Sequence, residues 1–190
     1  MRIALIGTHN SGKTTLLNLM KIDKMFDGYI FEGEKIREIH NLGFGINEDA
    51  KDDTQLALAL THFATINLHK NRPNLVLDRC LLDNYIYAKY LYNKGIVSKK
   101  VVELIETFLD SYILSNIDLL CVCDPEFPFE DDGVRDTNKD FQKEIHNMFM
   151  DYVHTLNINY PSINILHLKG NSKDRLKTIK DFIMLNEMGY

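Results

Sequence analysis

Residues 7–14 read Gly7-Thr8-His9-Asn10-Ser11-Gly12-Lys13-Thr14, a complete G-x-x-x-x-G-K-T, and Thr15 follows. The spacing has a mechanical cause. Two glycines let the backbone turn and come close to phosphate oxygens, and successive amides then form an anion cradle. A helix opening at the end of the motif points its positive end into that cradle. The lysine reaches the β- and γ-phosphates, and the threonine hydroxyl coordinates magnesium. Gly7, Asn10, Ser11, Gly12, Lys13, Thr14 and Thr15 are therefore the candidate binding residues for ATP, with Mg2+ on Thr14. His9 reads as a residue of shape or solvent rather than a catalyst.

Further candidates lie elsewhere in the chain. Asp78-Arg79 closes an apolar run, beside the phosphate loop in the topology read below. A carboxylate there holds Mg2+ through water or accepts a proton from an attacking hydroxyl, and an arginine holds a substrate anion. Glu34 and Arg37 are three apart, so on a helix they share a face toward the acceptor. Asp83, four residues after Arg79, is a candidate for the same pocket. Other readings of each are a polar strand end for Asp78-Arg79, a helix-terminal glutamate with a surface ion pair for Glu34 and Arg37, and a solvated carboxylate for Asp83. A GTP switch is disfavoured. Asp78 is followed by Arg79-Cys80-Leu81 rather than completing D-x-x-G, and Asn138-Lys139-Asp140-Phe141 misses N-K-x-D. The length is also short for an AAA-type motor with its helical lid domain.

The elements that must position these residues alternate. Apolar runs at 2–6, 29–32, 75–78, 118–123 and 163–168 predict five strands. Helices are predicted over about 13–24, 34–41, 52–70, 82–93, 98–114, 139–156 and 172–186, the last capped by Ser172. In the third of these the apolar stripe is imperfect: Leu56, Leu60, Phe63 and Asn67. Continuous apolar strands separated by helices imply a parallel sheet covered on both faces, with ligands at the carboxyl ends of its strands.

The totals agree. A chain of 190 residues, 45% hydrophobic and 26% charged, suits one soluble α/β domain. No run of about 18 apolar residues is present, so no membrane span is expected. The N-terminal run stops at Gly7, too early for a signal peptide, which predicts a cytoplasmic protein. A net charge of −5 argues against a broad footprint for duplex nucleic acid, without excluding a local basic groove. Cys80, Cys121 and Cys123 do not have the spacing of a zinc site or disulfide framework. Cys121 and Cys123, two apart, face one side of a strand and read as core.

Taken together, Gly7 to Thr15, Glu34-x-x-Arg37, Asp78-Arg79 with Asp83, Asp132-Gly133-Val134-Arg135, and Gly170 through Arg175 resemble the P-loop family of nicotinamide-riboside-kinase-like ATPases and kinases. The set is more distantly similar to thymidylate and deoxynucleoside kinases. The resemblance implies a single three-layer α/β/α P-loop NTPase domain with a five-stranded parallel sheet of order 2-3-1-4-5. It implies ATP-dependent phosphoryl transfer to a hydroxyl or phosphate of a nucleoside or nucleotide-like small molecule. By the same likeness Glu34 or Asp78 orients the acceptor, Arg135 sits on a mobile lid at about 126–138, and the Gly170-Asn171 loop lies near adenine. The absence of tryptophan and the Asp78-Arg79 pair depart from some nicotinamide riboside kinases and leave the acceptor open. Two rivals stand beside this reading. One is a regulatory ATPase or nucleotide-sensing module. The other is a kinase acting on nucleic acid through Lys99-Lys100 and the lysines of 169–180.

Overall fold

The computed structural model describes residues 1–46, 49–110, 116–126 and 139–187. Their order is β1 (Arg2–Ile6), α1 (Lys13–Ile22), β2 (Ile30–Glu32), α2 (Ile36–Asn41), α3 (Asp52–Leu68), β3 (Leu75–Asp78), α4 (Leu81–Asn93), α5 (Lys99–Phe108), β4 (Leu119–Cys123), α6 (Lys139–Asn159), β5 (Asn164–Leu168) and α7 (Ser172–Glu187). A short 3₁₀ turn at Lys24–Phe26 follows α1.

Every residue of β1, β3 and β4 is buried, because helices cover both faces of these central strands. The sheet order is β2-β3-β1-β4-β5 and all pairs are parallel, as expected. Alternate side chains divide between two cores. Ile3, Leu5, Cys121 and Cys123 pack on Leu16 and Met20 of α1 and Ile179 and Ile183 of α7. Ala4, Ile6, Leu120 and Val122 face Leu81 and Tyr85 of α4, Ile105 of α5 and Phe149 of α6. The result is a three-layer α/β/α fold. Only the edge strands depart from continuous burial, since β2 and β5 each lack a neighbour on one side.

Three local expectations change. The second predicted helix starts at Ile36, so Glu34 lies in the connection before it and shares no helical face with Arg37. On α3 the buried residues are Thr54, Gln55, Leu58, Ala59, His62 and Ile66, while Leu60 is 58% exposed. That helix turns a partly polar side inward because it walls a cavity rather than a dry core. Asn171, not Ser172, caps α7: its Oδ1 accepts from the amides of Lys173 and Asp174. The lid expected at 126–138, with Arg135, lies outside the described residues except for Glu126.

No helix among the described residues is long and apolar enough to cross a membrane.

Candidate functional site

β1 ends at Ile6 and delivers Gly7 to the carboxyl edge of the sheet, at its centre. Gly7 has φ 133°, and a Cβ there would lie 2.7 Å from the Cys123 carbonyl oxygen of β4. Only glycine permits both the conformation and the approach. Gly12, at φ 78°, opens α1. Asn10 takes φ 54°, a left-handed turn that asparagine tolerates.

Inside this loop the Lys13 ammonium donates to the carbonyls of Gly7 (2.9 Å) and Thr8 (2.5 Å) and to Ser11 Oγ (2.9 Å). Ser11 Oγ in turn donates to Thr8 O. Burial, together with the neighbouring Arg79 guanidinium, pulls the Lys13 ammonium down to about 8. Thr14 Oγ1 donates to Asp78 Oδ2 at 2.7 Å. Thr15 is exposed on the first turn of α1. His9 is buried rather than solvent-facing. It stacks on Phe141 of α6 with centroids 5.3 Å apart, while Gln142 donates to its carbonyl.

Arg79 joins the phosphate loop to the neighbouring cavity. Its φ of 73° is unusual for a residue with a side chain, and such strain gathers at functional sites. The guanidinium donates to Glu34 Oε1 (2.6 Å), Gly7 O (3.0 Å) and Asp83 Oδ1 (3.2 Å), and lies 5.5 Å from the Tyr87 ring centre. Glu34 therefore pairs with an arginine on another strand end rather than along a helix. Asp83 is held by structure: its carboxylate accepts from the amides of Gly7 and Cys80, the second a helix-capping contact at the start of α4. Burial outweighs Arg79 and Lys13 and raises its carboxyl above the usual range.

Beyond Arg79 lies a cavity bounded by Glu34, Arg37 and His9, with Ile46, Ala50, Leu58 and Leu91 as apolar wall. Arg37 thus reaches the same cavity as Glu34 by a different route from the one expected. Three polar residues there went unseen in the sequence. Asn84 Nδ2 donates to Gln55 Oε1 at 2.7 Å, and Asn84 Oδ1 is buried with no hydrogen-bond partner among the described residues. His62 is 8% exposed, and burial with Arg79 and Lys35 nearby lowers its imidazole to about 4, so it is neutral at pH 7. On α3, Gln55 and His62 share the buried face with Leu58, Ala59 and Ile66, away from the Leu56, Leu60, Phe63 and Asn67 stripe read from the sequence, and the imperfection of that stripe was the one signal the sequence held for them.

Whether the donors suit a divalent ion is testable on the geometry. Thr14 and Asp78 present oxygens side by side, and Asp78 Oδ1 is buried without a hydrogen-bond partner among the described residues. Hard cations such as Mg2+ take oxygen ligands and keep several waters and phosphate oxygens. Among the described residues no group of three or more His, Cys, Asp and Glu side chains forms a metal cage. The pair therefore fits an ion that arrives with its nucleotide.

Solved structures with this fold include a deoxyadenosine kinase from M. mycoides with the products dCMP and dCDP bound. It superimposes with a TM-score of 0.71 at 16% identity, over 97% of this chain and 99% of that one. The same enzyme with dATP bound gives 0.66 at 15% identity, over 97% and 100%. NadR protein in complex with NR gives 0.72 at 20% identity, over 95% of this chain, which spans 50% of NadR. No curated protein matches the sequence closely enough to count as a relative. A family model described as an AAA domain matches residues 2–175, almost the whole of the phosphate loop, sheet and covering helices, and the chain belongs to that family, AAA_28.

Proposed function

We propose that this chain is a P-loop kinase that transfers the γ-phosphoryl group of ATP to a nucleoside or nucleotide-like small molecule. The observation that carries the reading is the Arg79 junction. One guanidinium touches both the phosphate loop, through Gly7, and the carboxylate that borders the cavity, Glu34. A phosphate donor and an acceptor held on its two sides stand next to one another.

In this reading the loop amides and Lys13 hold the triphosphate and offset its charge. Thr14 and Asp78 would hold Mg2+, which would neutralise charge on the phosphate oxygens. Glu34 accepts the proton of the acceptor hydroxyl as the new O–P bond forms and the bond to the ADP oxygen breaks. Arg79 keeps Glu34 aimed. The Gln55–Asn84 amide pair suits the hydrogen-bonding edge of a heterocyclic base, and Ile46, Leu58 and Leu91 suit its faces. Arg135, outside the described residues, is the cation we assign to the migrating phosphoryl group. Arg135→Ala is then expected to lose turnover with modest loss of ATP affinity, with poor rescue by lysine because a point charge cannot reproduce the fork. A bounded cavity rather than an open basic groove supports a small acceptor over a nucleic acid. Of the α7 lysines, Lys180 is already paired with Asp23 at 2.7 Å.

The test is labelled ATP against a panel of nucleosides and nucleoside monophosphates. The expected result is one labelled acceptor, formed in equal amount with ADP. ATP turnover that no panel member accelerates would overturn the kinase reading in favour of a regulatory ATPase.

A further inference from the structure

Arg175, in the first turn of α7, is fully buried and bonds to the phosphate loop's backbone, yet it does not line the cavity. Its guanidinium donates to three backbone carbonyls from three loops: Ser11 (2.7 Å), Asp124 (2.8 Å) and Gly170 (2.9 Å). The carboxylate of Glu126 lies 3.4 Å away and also accepts from the Gly170 amide. Burying a guanidinium is costly, and an apolar side chain of similar size is often no worse for stability. What an apolar side chain lacks is direction. In a trans peptide the carbonyl and the following amide point opposite ways. A grip on the Ser11 carbonyl therefore turns the Gly12 amide away from Arg175.

We propose that Arg175 is a positioning residue for the phosphate site. It aims the Gly12 amide at the phosphates, and its bonds to Asp124 and Gly170 lock the loop after β1 to the loops after β4 and β5. Arginine is required because its planar fork serves three acceptors at fixed angles, whereas an ammonium is a point charge on a flexible stem. The inference rests on reading residues 7–14 as a phosphate site.

Inorganic tripolyphosphate and ATP are the probes, with binding measured by calorimetry on the full chain. Arg175→Lys and Arg175→Met are expected to bind both at least tenfold more weakly while keeping the circular dichroism of the wild type. In wild-type protein labelled with ¹⁵N-glycine, the Gly12 amide resonance is expected to move downfield when tripolyphosphate is added. Should both variants fail to fold, that resonance keeps the proposal falsifiable, because a Gly12 signal unmoved by bound tripolyphosphate overturns it. So does binding by a folded Arg175→Lys within twofold of the wild type. Wild-type protein that binds neither probe defeats the phosphate-site reading itself, a distinct outcome.

Discussion

The lowered ammonium of Lys13 sets a pH dependence at the scale of one residue. Only the charged form attracts phosphate, so ATP affinity should fall as pH rises through about 8, with proton uptake on binding above that pH. Isothermal titration in buffers of different ionisation enthalpy measures the uptake, and Lys13→Met should abolish it together with orders of magnitude of affinity. The stability of the unliganded protein moves the other way. Between about 8 and the ordinary lysine value of 10.5 the unfolded chain binds more protons than the native one, so this group makes stability rise with pH in that window. Glu34→Gln and Asp78→Asn should each lower turnover by roughly 10²–10⁴-fold, the usual range for such roles. ATP affinity should change far less for Glu34→Gln, since Glu34 meets the acceptor side. Wild-type turnover in both variants would remove the carboxylates from the chemistry. Gly7→Ala should damage the fold itself, because its Cβ has 2.7 Å where a carbonyl oxygen stands and its backbone is left-handed.

Among the elements, α3 and α6 make contrasting demands. Phe149 of α6 is fully buried between the sheet and its helices, so Phe149→Ala should cost about 3–5 kcal/mol in a denaturant titration. Gln55→Leu strands the buried Asn84 amide and should cost about 1–3 kcal/mol of stability; it should also raise KM for the acceptor while leaving KM for ATP near its wild-type value. A parallel change in both constants would count against Gln55 as part of an acceptor wall. These elements also show what could be read in advance. The three central strands were legible because burial on both faces leaves continuous apolar runs such as Arg2–Ile6 and Leu119–Cys123, and the phosphate loop because its glycines answer to backbone geometry alone. Gln55, His62 and Asn84 were not, because apolar periodicity reports packing, and a helix beside a ligand cavity turns polar side chains inward. Nor was the partner of Glu34. Its spacing from Arg37 suggested a helical pair, but the pairing with Arg79, 45 residues away, depends on β2 and β3 lying side by side.

For the whole molecule, ligand binding and stability are one equilibrium. ATP at about 100 times its dissociation constant should add about 2.7 kcal/mol. In a chain of 190 residues that corresponds to a rise of roughly 5–10 °C in melting temperature. The rise should vanish in Lys13→Met. The carbonyl grip of Arg175 on Ser11 spans 164 residues of sequence. At a synthesis rate of about 5–20 residues per second, roughly 8–33 s separate the two residues on the ribosome. The strands on either side of β1 also arrive late, with β4 completed only at Cys123. If residues 7–14 take ATP as proposed, a nascent chain carries the glycine-rich sequence long before it carries a place for a nucleotide, and ATP should not template the early steps of its folding. On the role proposed for Arg175, nucleotide capture would instead be a certificate of completion, issued only when residues near both ends of the family-matched region have met.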